Sequence, residues 1–317
     1  MFQALLLSYA RDIGPSSGWS RAASFLVRSL VHRRLAHHWL DILEGAFADA
    51  APRDLRVHLA QKFARPYVRP WFSTSERIAV LTDHYDHLVT TFSRAALDRF
   101  LRHPGMPIAT LTGKSGQRYT LILGLARSKE GEVSLTFNDA DTGTTFATLI
   151  GVLGPRDGRL TFWIGGLQGP KPPLGRDDIV RVTRDLHGLR PKHAVLHAAM
   201  QVAKALGATE IVAPARANHI SRRRWTLWRH RRDIKSDYDS FWSEFATGSY
   251  PDGDYRLPVT PTVRALEDVK SKKRKEWTSR QGHLGALSAS VVASLDAGRQ
   301  ELAPEEPPSH PQARAAM

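Results

Sequence analysis

Apolar residues recur at three- and four-residue intervals from Trp19 to about His103, and at two-residue intervals from Ile108 to about Gly166. The first period is that of a helix with one buried face, the second that of a strand. WSRAASFLVRSLVHRRLAHHWLDIL therefore predicts a helix with basic residues on its outer side. Pro52 opens a second helix, PRDLRVHLAQKFA, which stops before Arg65-Pro66 because a residue preceding proline avoids helical backbone. SERIAVLTDHYDHLVTTFS follows with Ser75 as the expected N-cap, and then RAALDRFLRH.

Beyond Ile108, the runs IATLTG, QRYTLILGLARS, EVSLTFNDA, TTFATLIGVLG and RLTFWIGG predict an antiparallel meander with tight turns at KSGQ and KEGE. RPKHAVLHAAMQVAKAL predicts a helix, with proline in its first turn and Gly207 past its end. TEIVAPA then predicts a further strand. RDDIVRVTRDLHG reads as a helix from its length and acidic first turn, although IVRVT alone would pass for a strand. After Ala215 the period weakens. SYPDGDYRLPVTP suggests a hairpin or extended loop, VRALEDVKSKKRKEWTSRQGHLGALSASVVASL a helix, and APEEPPSHPQARAAM a disordered tail. The expected fold is α+β, a central, mostly antiparallel sheet of five or six strands flanked by helices. It is divided into an α-helical N-terminal region (1–105), an α+β core (106–285), and a helix end with a Pro-rich tail (286–317).

Charge narrows the partners. Among 317 residues, 45 Lys and Arg face 31 Asp and Glu, a net charge of +14. This favours an anionic partner: nucleic acid, an acidic carrier protein, a phosphorylated small molecule or an anionic membrane surface. The chain has no cysteine, which excludes disulfides, thiolate metal sites and a cysteine nucleophile. MFQALLLSYARDIG has too short an apolar run for a signal peptide, and no segment has the apolar length of a transmembrane helix. The default location is the cytoplasm, with the periphery of the inner membrane as its variant.

Candidate chemistry concentrates between Leu160 and Ala215. In Trp163-Ile164-Gly165-Gly166-Leu167-Gln168-Gly169, glycines at a strand end would let a ligand approach the backbone, and Gln168 could donate to a carbonyl or phosphate. The competing reading is a bulge and a turn. His187, Gly188, Leu189, Arg190, Pro191 and Lys192 lead into a helix whose free N–H groups, with the two cations, could cradle a pyrophosphate or a phosphopantetheine arm. The spacings GxxxxGK[ST] and GxGxxG are absent. His193 and His197 lie four apart but lack the glutamate of HExxH, so they read as packed histidines, and no metal is implied. His219, just beyond a strand end, could be a general base or could bond loop backbone. In DYDSFWSEF the aromatics read as core anchors, and Glu244 could act as acid or base if it faces a cavity. KSKKRKEW is an electrostatic patch or a solvated helix face, and SRRRWTLWRHRR interleaves Trp225 and Trp228 with arginines.

Seven segments together resemble the VirK/YbjX family of bacterial proteins: RPYVRPWFSTSERIAVLTDHYDHL, KEGEVSLTF, WIGGLQG, TRDLHGLRPKHAVLHAAMQVAKALGATEIV, NHISRRRW, DYDSFWSEF and KSKKRKEW. They occur in the family's order over roughly residues 60 to 285. One departure is Ala246-Thr247, where the family pattern has a glycine pair. The resemblance implies a link with cell-envelope integrity, surface-protein display, virulence and resistance to antimicrobial peptides, and no agreed activity. The order strand, basic turn, helix, strand is also similar to the acyl-binding half of GNAT-type N-acyltransferases, an analogy of architecture. The usual glycine-rich GNAT loop is missing from GLRPKH.

Two functions follow as expectations. The first is an acyl- or aminoacyl-transferase using a CoA, acyl-carrier phosphopantetheine or tRNA donor. Arg190, Lys192, His187 and Gly169 would hold that donor, Gln168 would orient the acyl group, and His219 or Glu244 would deprotonate an amine. The second is a non-catalytic envelope or stress factor that binds anionic lipid or a client protein. Oligomeric state is left open.

Overall fold

The meander forms as its period predicts. The computed structural model describes residues 2–45, 47–222 and 237–299. Strands β1 (Met106–Thr112), β2 (Arg118–Ser128), β3 (Gly131–Asp139), β4 (Thr145–Arg156) and β5 (Arg159–Gln168) follow one another antiparallel. Two helices then lead to β6 (Glu210–Ala213), which lies parallel to β5. They are α7 (Arg176–Asp185), a helix as read, and α8 (Pro191–Ala205). A short hairpin, β7 (Gly248–Ser249) and β8 (Tyr255–Leu257), completes an eight-stranded sheet in the order β1-β2-β3-β4-β5-β6-β8-β7. The fold is α+β, as expected, with more strands than the five or six foreseen. β7 and β8 are two and three residues long, too short for alternation to reveal them.

Helices cover the sheet. The N-terminal ones are α1 (Phe2–Ser17), α2 (Trp19–Val31), α3 (Arg33–Glu44), α4 (Arg53–Ala60), α5 (Thr74–Thr91) and α6 (Arg94–Leu101). The single helix expected from Trp19 breaks at His32. The N-cap of α5 is Ser73, not Ser75: Ser73 Oγ accepts the Glu76 N–H at 3.2 Å and Glu76 Oε2 accepts the Ser73 N–H at 2.7 Å. A short helix α9 (Tyr238–Ser243) precedes the hairpin, and α10 (Arg274–Asp296) packs beside α8 and β1. The helix expected from Val263 thus begins only at Arg274. Val263 and Leu266 are exposed, so residues 263–268 have no apolar face to bury, and a short segment without packing does not hold a helix. The 286–317 boundary falls inside α10. The Trp225/Trp228 segment and the Pro-rich tail lie outside the described residues.

Two buried ion pairs tie the layers together. Lys62 Nζ meets Glu132 Oε1 at 2.6 Å, and the same carboxylate accepts the Tyr67 hydroxyl at 2.6 Å and the Tyr85 hydroxyl at 2.5 Å. This joins α5 and the loop before it to β3. Arg69 and Asp254, both fully buried, meet at 2.6 Å. Arg69 also donates to the carbonyl of Ile164 on β5 at 2.9 Å and to that of Val212 on β6 at 3.4 Å.

Removing one member of a buried pair leaves the other charge uncompensated, so Asp254→Ala is expected to cost about 3–5 kcal/mol in urea unfolding. Acid should also destabilise the fold. Burial lowers the pKa of His84 to about 3 and those of His58, His193, His197 and His219 to about 4 from the usual 6.5. Between these values the unfolded chain binds more protons than the folded one. Stability therefore falls as pH drops from about 6.5 towards about 4, and the thermal midpoint should be lower at pH 5 than at pH 7.5.

Candidate functional site

The site is built where the parallel pair divides. β5 and β6 are paired from Thr161–Glu210 to Trp163–Val212. β5 then runs on to Gln168, while β6 ends at Ala213. Opposite Ile150 and Gly151 the register of β5 slips at Gly165, a bulge that bends the strand out of the ladder. The Arg69 guanidinium sits in the crotch of this fork. Beyond it, the Tyr238 hydroxyl accepts the Leu167 N–H at 3.1 Å, and the Trp242 indole donates to the Pro214 carbonyl at 3.0 Å. The expected anchoring by DYDSFWSEF is therefore realised inside the fork, and protein fills the space beside the bent strand.

The glycines of WIGGLQG serve a close approach by the chain itself. Neither Gly165 nor Gly166 has a positive φ. A Cβ at Gly165 would lie 1.7 Å from the Glu130 carbonyl oxygen, and one at Gly166 would lie 2.4 Å from Glu130 Oε2. The tip of the β2–β3 hairpin thus lies directly on the bulge, which only glycine permits. This contact brings Glu130 to Gln168 and His219. Gln168 Nε2 donates to Glu130 Oε2 at 3.2 Å, and His219 Nε2 stands 3.6 Å from Glu130 Oε1.

Proton positions follow from these partners. His219 Nδ1 accepts the Ser221 N–H at 3.2 Å. In the neutral ring the proton is then on Nε2, aimed at the Glu130 carboxylate. That Nε2 is buried and makes no hydrogen bond among the described residues. Burial lowers the His219 pKa to about 4, with smaller contributions from Lys129 and Arg69. Burial raises that of Glu130, against the hydrogen bond from Gln168 and the charge of Lys129. The contrast with Glu132, two residues on, is instructive. That carboxylate accepts from a lysine and two tyrosines, whereas among the described residues the Glu130 carboxylate accepts from Gln168 alone. An acid that is desolvated and sparsely bonded is suited to taking a proton.

The basic residues gather elsewhere. Arg190 is the N-cap of α8 and pairs with Glu244, both about half exposed, at the lip of a groove of about 900 Å³. Arg190, Arg264, Lys270, Lys272, Lys273 and Arg280 line this groove, with Glu244, Asp268 and Glu276 as its acids. The segments GLRPKH and KSKKRKEW, read separately as rival signals, therefore share one surface. Gly188 lies against Glu276, His197 Nε2 meets Ser288 Oγ at 2.8 Å, and Arg299 reaches the Ala205 carbonyl at 2.6 Å. These contacts advance in the same direction along both chains, so α8 and α10 run parallel and both N-termini face the groove.

The sequence candidates thus divide into two sets. Gln168 and His219 meet at Glu130, while Arg190 and Glu244 meet in the groove. His187 adopts φ 52° in the turn after α7 and packs on the His283 ring at 5.3 Å. Lys192 is half-buried, its pKa lowered by burial and by Arg190. Its Cε would lie 3.7 Å from a Cβ at Gly169, which links the groove to the end of β5. Sequence reasoning missed Glu130 and Arg69. Glu130 stands in KEGE, read as a turn, and a charge in a turn carries no sign that a distant glycine pair will receive it. No cluster of His, Cys, Asp and Glu among the described residues could hold a metal ion.

The family model described as "Protein of unknown function (DUF535)" matches residues 16–293. The uncharacterized protein YbjX of Escherichia coli K12 is 31% identical over 302 residues, covering 91% of this chain and 89% of its own. An uncharacterized protein of Haemophilus influenzae is 23% identical over 220 residues, covering 69% of this chain and 72% of its own. No solved structure matches. No described helix is long and apolar enough to cross a membrane. On the extent of the family match and of the Escherichia coli relative, the chain belongs to the VirK/YbjX family of bacterial proteins.

Proposed function

We propose that this protein transfers an acyl or aminoacyl group from a phosphate-bearing donor to an amine, with Glu130 as the proton acceptor. The observation that carries this reading is the pair at the bulge: a desolvated Glu130 carboxylate with His219 Nε2–H 3.6 Å away and without a hydrogen bond among the described residues. A meander, a helix, one parallel strand and a closing hairpin also agree with the GNAT analogy, although architecture alone names no reaction. The donor's phosphates would lie in the groove on Arg190, Lys272 and the starts of α8 and α10. Its arm would pass Lys192 and Gly169 towards Gln168. Glu244 would hold Arg190, not act as a base. His187 would shape the turn behind Arg190.

In the reaction the amine nitrogen attacks the donor's carbonyl carbon, forming the C–N bond. Glu130 takes the amine proton. The C–S or C–O bond breaks, and the leaving thiolate or alkoxide takes that proton back from Glu130. His219 stays neutral, its Nε2–H facing the Glu130 carboxylate before and after the transfer. The Tyr238 hydroxyl must release the Leu167 N–H for the arm to reach this point.

A second reading rests on that same seal. With Tyr238 and Trp242 filling the fork, the groove would bind an anionic ligand and no chemistry would follow.

Calorimetric titration with acetyl-CoA, acyl carrier protein and charged tRNA, followed by a transfer assay with a primary amine, separates the two readings. Arg190→Ala with Lys272→Ala is expected to weaken donor binding by about 10-fold or more, the effect of losing charge-assisted hydrogen bonds. Tyr238→Phe should tighten it. Glu130→Gln should leave binding unchanged and abolish transfer. Binding with no transfer, or transfer retained by Glu130→Gln, would exclude the catalytic reading; no binding of any donor would exclude both.

The same substitution has a stability readout. A carboxyl whose folded pKa is raised contributes its stability below the ordinary value near 4.5 and loses it as pH rises through the folded value. Glu130→Gln removes this loss, so its thermal midpoint should exceed that of the wild type at pH 7.5, and the gain should vanish at acid pH.

A further inference from the structure

The N-terminal helices carry an outward face that neither the groove nor the bulge explains. On α2, Ala22, Phe25 and Ser29 are buried against the body of the protein. On the opposite side of the same helix, Trp19 is 69% exposed, Val27 61%, Leu30 56% and Val31 72%. Their spacing of eight, three and one residues, with exposed Ala23 between, keeps them on one arc of the helix. Leu35, in the first turn of α3, is a further exposed apolar residue at 39%. Large apolar side chains on a protein surface are usually scattered, and a contiguous stripe marks a contact site.

Charge identifies the partner. From Ile13 to Leu40 the chain contains no Asp or Glu, but has Arg21, Arg28, Arg33 and Arg34 together with His32, His37 and His38. Arg21, Arg33 and Arg34 are exposed, and among the described residues they form no ion pair with an acid. An exposed apolar arc with tryptophan at one end, in a segment whose charged side chains are all basic, is the pattern of a helix lying in the interface of an anionic bilayer. A second copy of the chain would fit this face poorly, because two-fold pairing would set its arginines against their own equivalents. We propose that the Trp19–Val31 face is a docking surface for an anionic membrane, on which α2 lies parallel to the bilayer plane. This site is independent of the donor groove and of Glu130.

Co-sedimentation of the full chain tests it, using vesicles of phosphatidylcholine alone and vesicles that also contain phosphatidylglycerol. Binding is expected to the mixed vesicles and to weaken with added salt. Val27→Ser, Leu30→Ser and Val31→Ser together should reduce it about 10-fold or more. These positions are exposed, so circular dichroism should show an unchanged fold. Arg33→Glu with Arg34→Glu should produce a similar loss without touching the apolar arc. Lys272→Glu with Lys273→Glu should leave binding intact. Failure to sediment with mixed vesicles, binding that survives both N-terminal variants, or binding lost only on the Lys272 and Lys273 changes would overturn the proposal. So would a wild-type dimer without vesicle binding that the serine variant converts to a monomer.

Discussion

The buried pair of Arg69 and Asp254 is the constraint on which the rest of the site depends. Arg69 bonds β5 through Ile164 and β6 through Val212, at the point where the parallel strands part. Asp254 uses its other oxygen to accept the Ala215 N–H at 3.0 Å and the Asn218 side-chain amide at 2.8 Å. Those residues form the loop that carries His219. One ion pair thus joins the segment before α5, the fork, the β7–β8 hairpin and the loop that aims an imidazole at Glu130. Desolvation of both charges is costly, and neutral carbonyls and amides around them complete the hydrogen bonding that makes such a pair tolerable.

Two glutamates on one hairpin show how differently the fold can treat the same side chain. Glu132 is surrounded by Lys62, Tyr67 and Tyr85 and acts as a strut between layers. Glu130 is drawn onto the Gly165–Gly166 bulge with little compensation. Withdrawing solvation from this carboxylate raises its proton affinity. The neighbouring imidazole is kept neutral by the same burial. The pair is therefore a neutral imidazole beside a carboxyl of raised proton affinity, and not a permanent salt bridge.

Much of this was legible in the sequence where a signal is local. The two-residue period gives the meander, the Pro191 and Gly207 punctuation gives α8, and the glycines of WIGGLQG mark the bulge. Gln168 and His219 stood out because each follows a strand end. The illegible parts are those made by distance along the chain. Arg69 meets Asp254 across 185 residues, and Glu130 meets Gln168 across 38. Arg190 and the KSKKRKEW cations share a groove because α8 and α10 lie parallel, a relation absent from either segment alone. Ser73 rather than Ser75 caps α5 because the reciprocal bond with Glu76 needs a spacing of three, and both serines offered a hydroxyl.

A carboxyl-carbon NMR titration of Glu130, assigned by its loss in Glu130→Gln, tests the central claim most directly. The account predicts a midpoint clearly above the ordinary glutamate value near 4.5, falling back towards that value in Asp254→Ala, where the loop and fork are released. A midpoint at or below 4.5 in the intact protein would mean that Glu130 is a solvated or fully paired acid, and the proton-acceptor role assigned to it would be wrong.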